Sequence, residues 1–594
     1  MASRRAVHDE PLSSALSSPH VLREYAFVAD GVRGALIGPR GDMAWLCVPR
    51  WDSDAVFSAL LGGQGAYGVS PHQRNVWGGY YEDGTLVWHS RWVCEDSIAE
   101  CREALRLPAD PSVAVVLRRL TAVEGATRFD VALDARAGYG SATFEDLTCE
   151  KGIWTARSGP LQLRWSGAPR ARVDPRGVLR ADIVVEAGEH HDLVLEIADR
   201  VLDRPPPDAE VAWSETVEAW RRSVPRFDGV LAARDVRQGY AVLRGMTSPG
   251  GGMVAAATLG LPERADAGRN YDYRYAWVRD QCFAGHAVAV TGAHPLLDDA
   301  VSFVSERVLA DGPTLRPAYC VDGAAVPDER ELTVLAGYPG GHPKAGNWVN
   351  GQFQLDALGE ILLLLAEAGH HDHLDLEHWR AVEATVGAVT ERWRDPDAGI
   401  WELDDRHWAH SRLSCVAGLR AAAGLAPPAQ SARWSGLADT ILADVAADCT
   451  HPSGRWQRAP DDERVDAALL LPGLRGATPP GDARHRATFE EVVHELGSDG
   501  YVYRFRHDGR PLEEAEGAFL FCGFVAALAA QQLGRPVEAR AWFERNRAAC
   551  GSPGLLTEEF DVGERQLRGN VPQAFVHALL VEAAARLGSD APGA

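Results

Sequence analysis

Two short segments place a glutamate where acid–base chemistry can use it. In DPDAGIWELDDRHWAHSRLSC, Trp401-Glu402 follows the turn Asp395-Pro396-Asp397-Ala398-Gly399 and precedes a helix beginning near His410. An apolar Ile-Trp flank takes water away from a carboxyl group, surroundings that suit a general acid. In GLLTEEFDVGERQLRGNVPQAF, Glu558-Glu559 lie in a loop between helices, where adjacent like charges are costly unless one faces solvent or a substrate water. Taken alone, either glutamate fits a surface loop or a helix cap. A third stretch, NYDYRYAWVRD at 270–280, alternates Tyr271, Tyr273, Tyr275 and Trp277 with Asp272, Arg274 and the closing pair Arg279-Asp280. That pattern predicts an extended edge with rings on one face and charges on the other. Rings beside fixed charges suit a sugar, whose C–H faces stack on aromatics and whose hydroxyls need polar partners. The plain alternative is a half-buried strand with solvated charges. Two opposed carboxylates with an aromatic platform are what glycoside hydrolysis requires.

Other chemistries are poorly served. Gly63 to Gly68 reads GQGAYG, but VSPHQ follows instead of a helix, so a dinucleotide site is rejected. HHDHLDLEH at 370–378 carries metal-type residues at a helix junction, where a solvated helix start is favoured over a metal site. Neither a Walker-type loop nor HExxH nor GxSxG occurs. Ten scattered cysteines without a CxxC pair argue against a zinc ribbon and fit a reduced, cytoplasmic setting. A formal net charge of -23 disfavours nucleic acid as a partner. No run approaches 18 apolar residues, and ILLLLAEAG at 361–369 is too short for a membrane span.

The elements that must position these residues change character near residue 230. Before it, short β-type runs such as GTLVWHSRWV and HDLVLEIADRVL alternate with turn residues and predict a β-sandwich domain over 21–230, after a polar tail at 1–20. A linker is expected at about 203–235, starting at DRPPPD. Beyond it, amphipathic helices are predicted near 281–292, 297–310, 352–369, 375–394, 409–424, 431–448, 484–497, 516–534, 536–549 and 571–587. So many helices without comparable strands predict a toroid of helix hairpins over 236–588, with ligand groups on the loops at one end.

Seven segments in order resemble glycoside hydrolase family 15, in particular its bacterial glucoamylase- and trehalase-like members. They are YAFVADGVRGALIGPRGDMAWLCVPRWDSDAVFSALLG, NYDYRYAWVRD, RPAYCVDG, GYPGGHPKAGNWVNGQFQLD, DPDAGIWE, EGAFLFCGF and GLLTEEFD with GNVPQAF. The resemblance implies an N-terminal super-β-sandwich joined to an (α/α)6 barrel, and inverting, exo-acting release of glucose from the non-reducing end of small α-glucosides. It implies Glu402 as general acid, Glu558 as general base with Glu559 as a rival, and Arg279 and Asp280 as a clamp on the terminal sugar. Tyr275, Trp277, Trp348 and Trp401 are the implied pocket walls. An inverting pair sits about 6.5–9.5 Å apart, leaving room for the attacking water. No metal or organic cofactor is implied; phosphate and magnesium dependence goes with the trehalase alternative. The expected partner is a small sugar, and oligomeric state is not legible.

The chain departs from the family pattern at Arg412, Val416, Val525, Val571 and Val576, and places the bulky Trp348 in a loop usually built of small residues. These changes predict a reshaped pocket or reshaped helix packing behind it. They leave open an α,α-trehalase or a glycosidase of secondary metabolism. The alternative of another class, a non-catalytic carbohydrate-binding protein, predicts loss of a carboxylate that this chain retains.

Overall fold

A computed structural model describes residues 19–264, 269–292, 294–507 and 509–589. The tail expected at 1–20 lies outside them except for Pro19 and His20. Contacts divide the chain into two compact units: one runs to Trp220 and includes Leu332–Pro343, and the other comprises Arg221–Glu331 and the chain from Lys344 onward.

The first unit is built of two eight-stranded antiparallel sheets. Its longest pair joins Val113–Glu124 to His190–Ala198, with Leu117 opposite Val194. Period-2 alternation does the sorting: in Trp88–Cys94, Trp88, Ser90 and Trp92 are buried while the residues between them are not. Arg118 and Glu103 form a fully buried ion pair at 2.7 Å. Arg118 also donates from Nη1 to Tyr67 O at 2.7 Å and from Nη2 to Gly41 O at 3.0 Å, which gives both terminal nitrogens backbone acceptors in a dry core. The unit ends in helix α1 (Ala209–Ser223), which runs over its boundary.

The second unit is a double ring of helices. The inner ring comprises α3 (Val278–Ala289), α5 (Leu355–His370), α7 (Ala409–Leu425), a short 3-10 turn continued by α9 (Leu471–Leu474), α11 (Leu520–Gln532) and α13 (Ala574–Ser589). Each packs on the next, and α13 returns to α3. The outer ring comprises α2 (Ala233–Met246), α4 (Pro295–Asp311), α6 (Leu376–Arg392), α8 (Pro428–Asp448), α10 (Ala483–Leu496) and α12 (Pro536–Arg547). This is the (α/α)6 architecture.

Inner helices are apolar nearly all round because they have neighbours on every side. Leu362 and Leu364 of α5 are fully buried, and each such leucine contributes about 1.5–3 kcal/mol. Helices α5 and α7 approach backbone to backbone. A Cβ on Gly359 would stand 2.4 Å from the Ser414 carbonyl carbon, so no side chain fits there. The family departures fall in this packing. Val416, Val525, Val571 and Val576 are buried, and Arg412 pairs with Asp444 at 2.9 Å. None of these five lines the cavity described below; Trp348 does.

The sequence places ten of the helices within a few residues. Helix α2, which begins at the end of the expected linker and runs into the expected barrel, was not among the predicted helices, and neither was the 467–474 segment. Gly239 and Gly245 weaken the helical signal of α2, and Pro472 and Gly473 that of α9.

Candidate active site

The loops that enter five of the six inner helices line a cavity of about 310 Å³. The segment before α3 supplies Tyr271, Tyr273 and Trp277, with Arg279 and Asp280 following in the helix's first turn. Trp348 comes from before α5, Trp401 and Glu402 from before α7, Arg504 and His507 from before α11, and Glu558 from before α13. A second, more open basin of about 660 Å³ adjoins it. Trp348, Glu402, Leu403 and His507 line both, so Glu402 stands at the junction.

On the Glu402 side, the 399–403 turn is closed by Leu403 N–H donating to Ala398 O at 2.8 Å. Glu402 adopts φ +56°, a left-handed conformation that a non-glycine residue holds only under constraint. The constraint comes from α3. Trp277 Nε1 donates to Glu402 Oε1 at 2.7 Å, and Arg279 Nη1 donates to Ile400 O at 2.7 Å. Arg279 Nη1 also lies 3.7 Å from Glu402 Oε1, and its Nη2 lies 3.1 Å from Asp280 Oδ2. Asp280 is fully buried; desolvation pushes it up to about 6, against the pull of Arg279 and with the charge of Glu402 adding. Trp401 Nε1 donates to Asp466 at 2.7 Å, which fixes the indole with its ring against the cavity.

The Glu558 side is crowded with carboxylates. Strand Glu559–Asp561 pairs with Ala518–Phe519, and Glu558 O accepts from Leu520 N–H at 3.0 Å. Consecutive residues point to opposite faces here. Glu558 lines the cavity, whereas Glu559 is fully buried and accepts from Gly517 N–H at 2.7 Å. Arg504 is the hub of this wall: it pairs with Glu516, lies 3.5 Å from Glu559 and 4.0 Å from Glu263. Burial, then the charge of Glu263, holds Glu558 well above the usual carboxylate range, against Arg504. Burial works the same way on Glu516, but there Arg504 and His507 prevail and hold it down to about 2.

Of the residues expected at the site, Glu402, Glu558, Arg279, Asp280, Trp277, Trp348 and Trp401 all line the cavity. Tyr275 does not, and this is a correction. The chain bends at Tyr275, turning its ring into a small core with Ala318 and Val349 and its hydroxyl toward Asp272 Oδ2 at 3.3 Å. The alternation of 270–280 therefore breaks there, and only Ala276–Trp277 forms a strand. Its charges are not solvated: Asp272 and Arg274 are buried and paired at 2.7 Å. Glu263, Arg269, Arg504, His507, Gln573 and Phe575 also line the cavity and were not anticipated. The Glu263-Arg269 stretch borders NYDYRYAWVRD, the one local signal that could have flagged them.

Among the described residues, one group of potential metal donors has its atoms within 4.8 Å of one another: His190, Asp192 and Glu210, in the first unit. Arg119 pairs with both of its carboxylates. In the histidine-rich stretch, Asp375 and His378 form the capping box of α6, and His373 pairs with Asp298.

Comparison with known proteins agrees with this architecture. A trehalase-like N-terminal domain model matches residues 16–213. The trehalase of Mycobacterium tuberculosis is 30% identical, over 96% of this chain and 90% of its own length. The trehalase of Thermoplasma acidophilum is 27% identical, over 93% and 98%. A solved structure of bacterial glucoamylase complexed with acarbose shares the fold, with a TM-score of 0.72 at 12% identity, covering 96% of this chain and 94% of that one. The family model of glycosyl hydrolases family 15 matches residues 237–585, nearly the whole double ring from within α2 to within α13, and this chain belongs to that family.

Proposed function

We propose that this glycoside hydrolase removes a terminal glucosyl residue from small α-glucosides with inversion, Glu402 serving as general acid and Glu558 as general base, and that α,α-trehalose is its foremost substrate. One observation carries the assignment: Glu402 stands at the junction of an inner cavity and a wider basin, while Glu558 lines the inner cavity alone. A terminal sugar in the inner cavity and its leaving group in the basin would place the glycosidic oxygen beside Glu402.

The steps follow from these positions. Glu402 gives its proton to the glycosidic oxygen as the C–O bond breaks. Glu558 takes a proton from a water whose oxygen bonds the anomeric carbon from the opposite face. Positive charge building on the ring meets Asp280, and Arg279 with Asp280 offers the paired donors and acceptors that sugar hydroxyls require. No metal or organic cofactor enters these steps.

The preference for trehalose over maltose- or isomaltose-type sugars is supported by the relatives named trehalase along nearly their full lengths, and by the trehalase-like N-terminal match. The test is a hydrolysis panel of trehalose, maltose, isomaltose, nigerose and kojibiose, with and without phosphate and magnesium. Proton NMR of the first product from maltose should show β-glucose; α-glucose overturns inversion. Turnover of maltose but not trehalose returns the chain to a glucoamylase-type α-glucosidase. Inactivity on the whole panel favours a secondary-metabolite glycosidase or a binding protein.

A further inference from the structure

Glu263 has no part in the steps above, yet it stands on the same wall as Glu558. The segment before α3 supplies it, and the loop before α13 supplies Glu558. Gly569 bridges the two. A Cβ built there would lie 3.8 Å from Glu558 Oε2 and 3.9 Å from Glu263 Cγ. Glu263 and Glu558 are 3% and 5% exposed, and in each the Oε2 atom is enclosed and accepts no hydrogen bond from the described residues. Glu263 is fixed by its other contacts: Tyr273 OH donates to its Oε1 at 3.3 Å, and Arg269 Nε lies 3.4 Å from its Oε2. Two enclosed carboxylates on one wall resist ionising together.

We propose that Glu263 is a positioning residue for the reaction, acting through Glu558: its fixed charge makes Glu558 a stronger base toward the attacking water. The inference rests on Glu558 being the base. The other charged and titratable groups facing Glu558 are Arg504, Asp280, Arg279, Tyr273 and Glu559, while Glu263 also faces Tyr271, Arg269 and Arg504. Burial is the largest cause of the raised affinity of Glu558 for its proton, and Glu263 the next. A base with raised affinity is protonated, and inactive, as pH falls through that raised value. It therefore sets the acid limb of kcat/KM for the free enzyme.

The experiment compares kcat/KM against pH for the wild type and Glu263→Gln on the best substrate of the panel. Removing the charge lets Glu558 ionise at lower pH. The acid limb should move down by about 1.5–2 pH units, the scale of a like charge within about 8 Å at an effective dielectric near 20, and the plateau should fall because the base is weaker. A plateau lowered with the limb unmoved is what a merely structural Glu263 produces, and it overturns the proposal. If Glu263→Gln fails to fold, Glu263→Ser, which also removes the charge, replaces it, and the Glu558 carboxyl band is read by difference infrared spectra against the same protein carrying Glu558→Gln. A band lost at lower pH than in the wild type supports the proposal, and a band lost at the wild-type pH overturns it. Near-wild-type hydrolysis by Glu558→Gln breaks the base assignment itself, a result distinct from an unmoved limb in Glu263→Gln.

Discussion

The two carboxylate walls of the cavity are made in opposite ways. Glu402 sits on a strained turn, 21% of its side chain exposed, with an indole N–H on one oxygen and a guanidinium 3.7 Å away. Glu558 is enclosed on a wall whose nearest ionisable neighbours include Glu263 and Glu559, with Arg504 as the shared counter-charge. One wall opens to the basin proposed for the leaving group; the other crowds negative charge where, in the proposed reaction, a water is deprotonated. The difference teaches that the two proposed roles are separated by what each side chain is held against and by what it can reach, since the side chains themselves are chemically identical.

The largest way to break that comparison is to exchange the two residues' duties. Glu402→Gln should lose about 10²–10⁴-fold in kcat on the disaccharide, yet retain most activity on α-glucosyl fluoride, whose leaving group needs no proton. Glu558→Gln should lose a similar factor on both, and azide should restore turnover with β-glucosyl azide as product. Azide rescue of Glu402→Gln in place of Glu558→Gln would reverse the roles.

Next in size is the counter-charge of the Glu558 wall. Arg504→Gln leaves Glu263, Glu516 and Glu559 without their shared partner, and should cost about 3–5 kcal/mol of stability, read by urea unfolding. A loss below about 1 kcal/mol would mean that the carboxylates relieve one another by taking up protons.

On the Glu402 wall, Trp277→Phe keeps a ring and removes the N–H donated to Glu402. A hydrogen bond to a charged group is worth about 1.5–3 kcal/mol, so kcat should fall roughly 10–100-fold, with a smaller effect on α-glucosyl fluoride. Equal losses on both substrates would show that the ring, not its donor, matters.

The smallest effect belongs to the rim. Trp348 is 51% exposed and borders both cavities. Trp348→Ala should raise KM for disaccharides several-fold, about 1 kcal/mol of lost ring contact, and leave α-glucosyl fluoride unchanged. A matching change on the fluoride would move Trp348 to the terminal-sugar side.

Much of the scaffold was legible because it depends on local pattern. The apolar run in EGAFLFCGFVAAL announces an inner helix, α11, and the Trp-Glu turn with its Gly399 announces a loop. Helix α2 and the 467–474 turn were obscured by glycine and proline, whose low helical propensity is overridden by packing in the ring. At the site, the residues inside long recognisable segments were named, whereas Glu263, Arg269, Arg504 and His507 were not. Arg269 meets Glu516 across 247 residues, and spacing carries no information about such a pairing. Tyr275 failed for a different reason: one bend in the backbone was enough to take it out of the row of rings.

By itself the sequence determined the β-then-helix order of the chain, its family, and the short segments that carry Glu402, Glu558 and the Arg279-Asp280 pair, because periodicity and local motifs suffice for those. Only the tertiary structure decided which of two adjacent glutamates faces the cavity. Strand geometry sends Glu558 and Glu559 to opposite sides, and which side is the cavity depends on pairing with Ala518–Phe519 and on closure of the ring between α13 and α3.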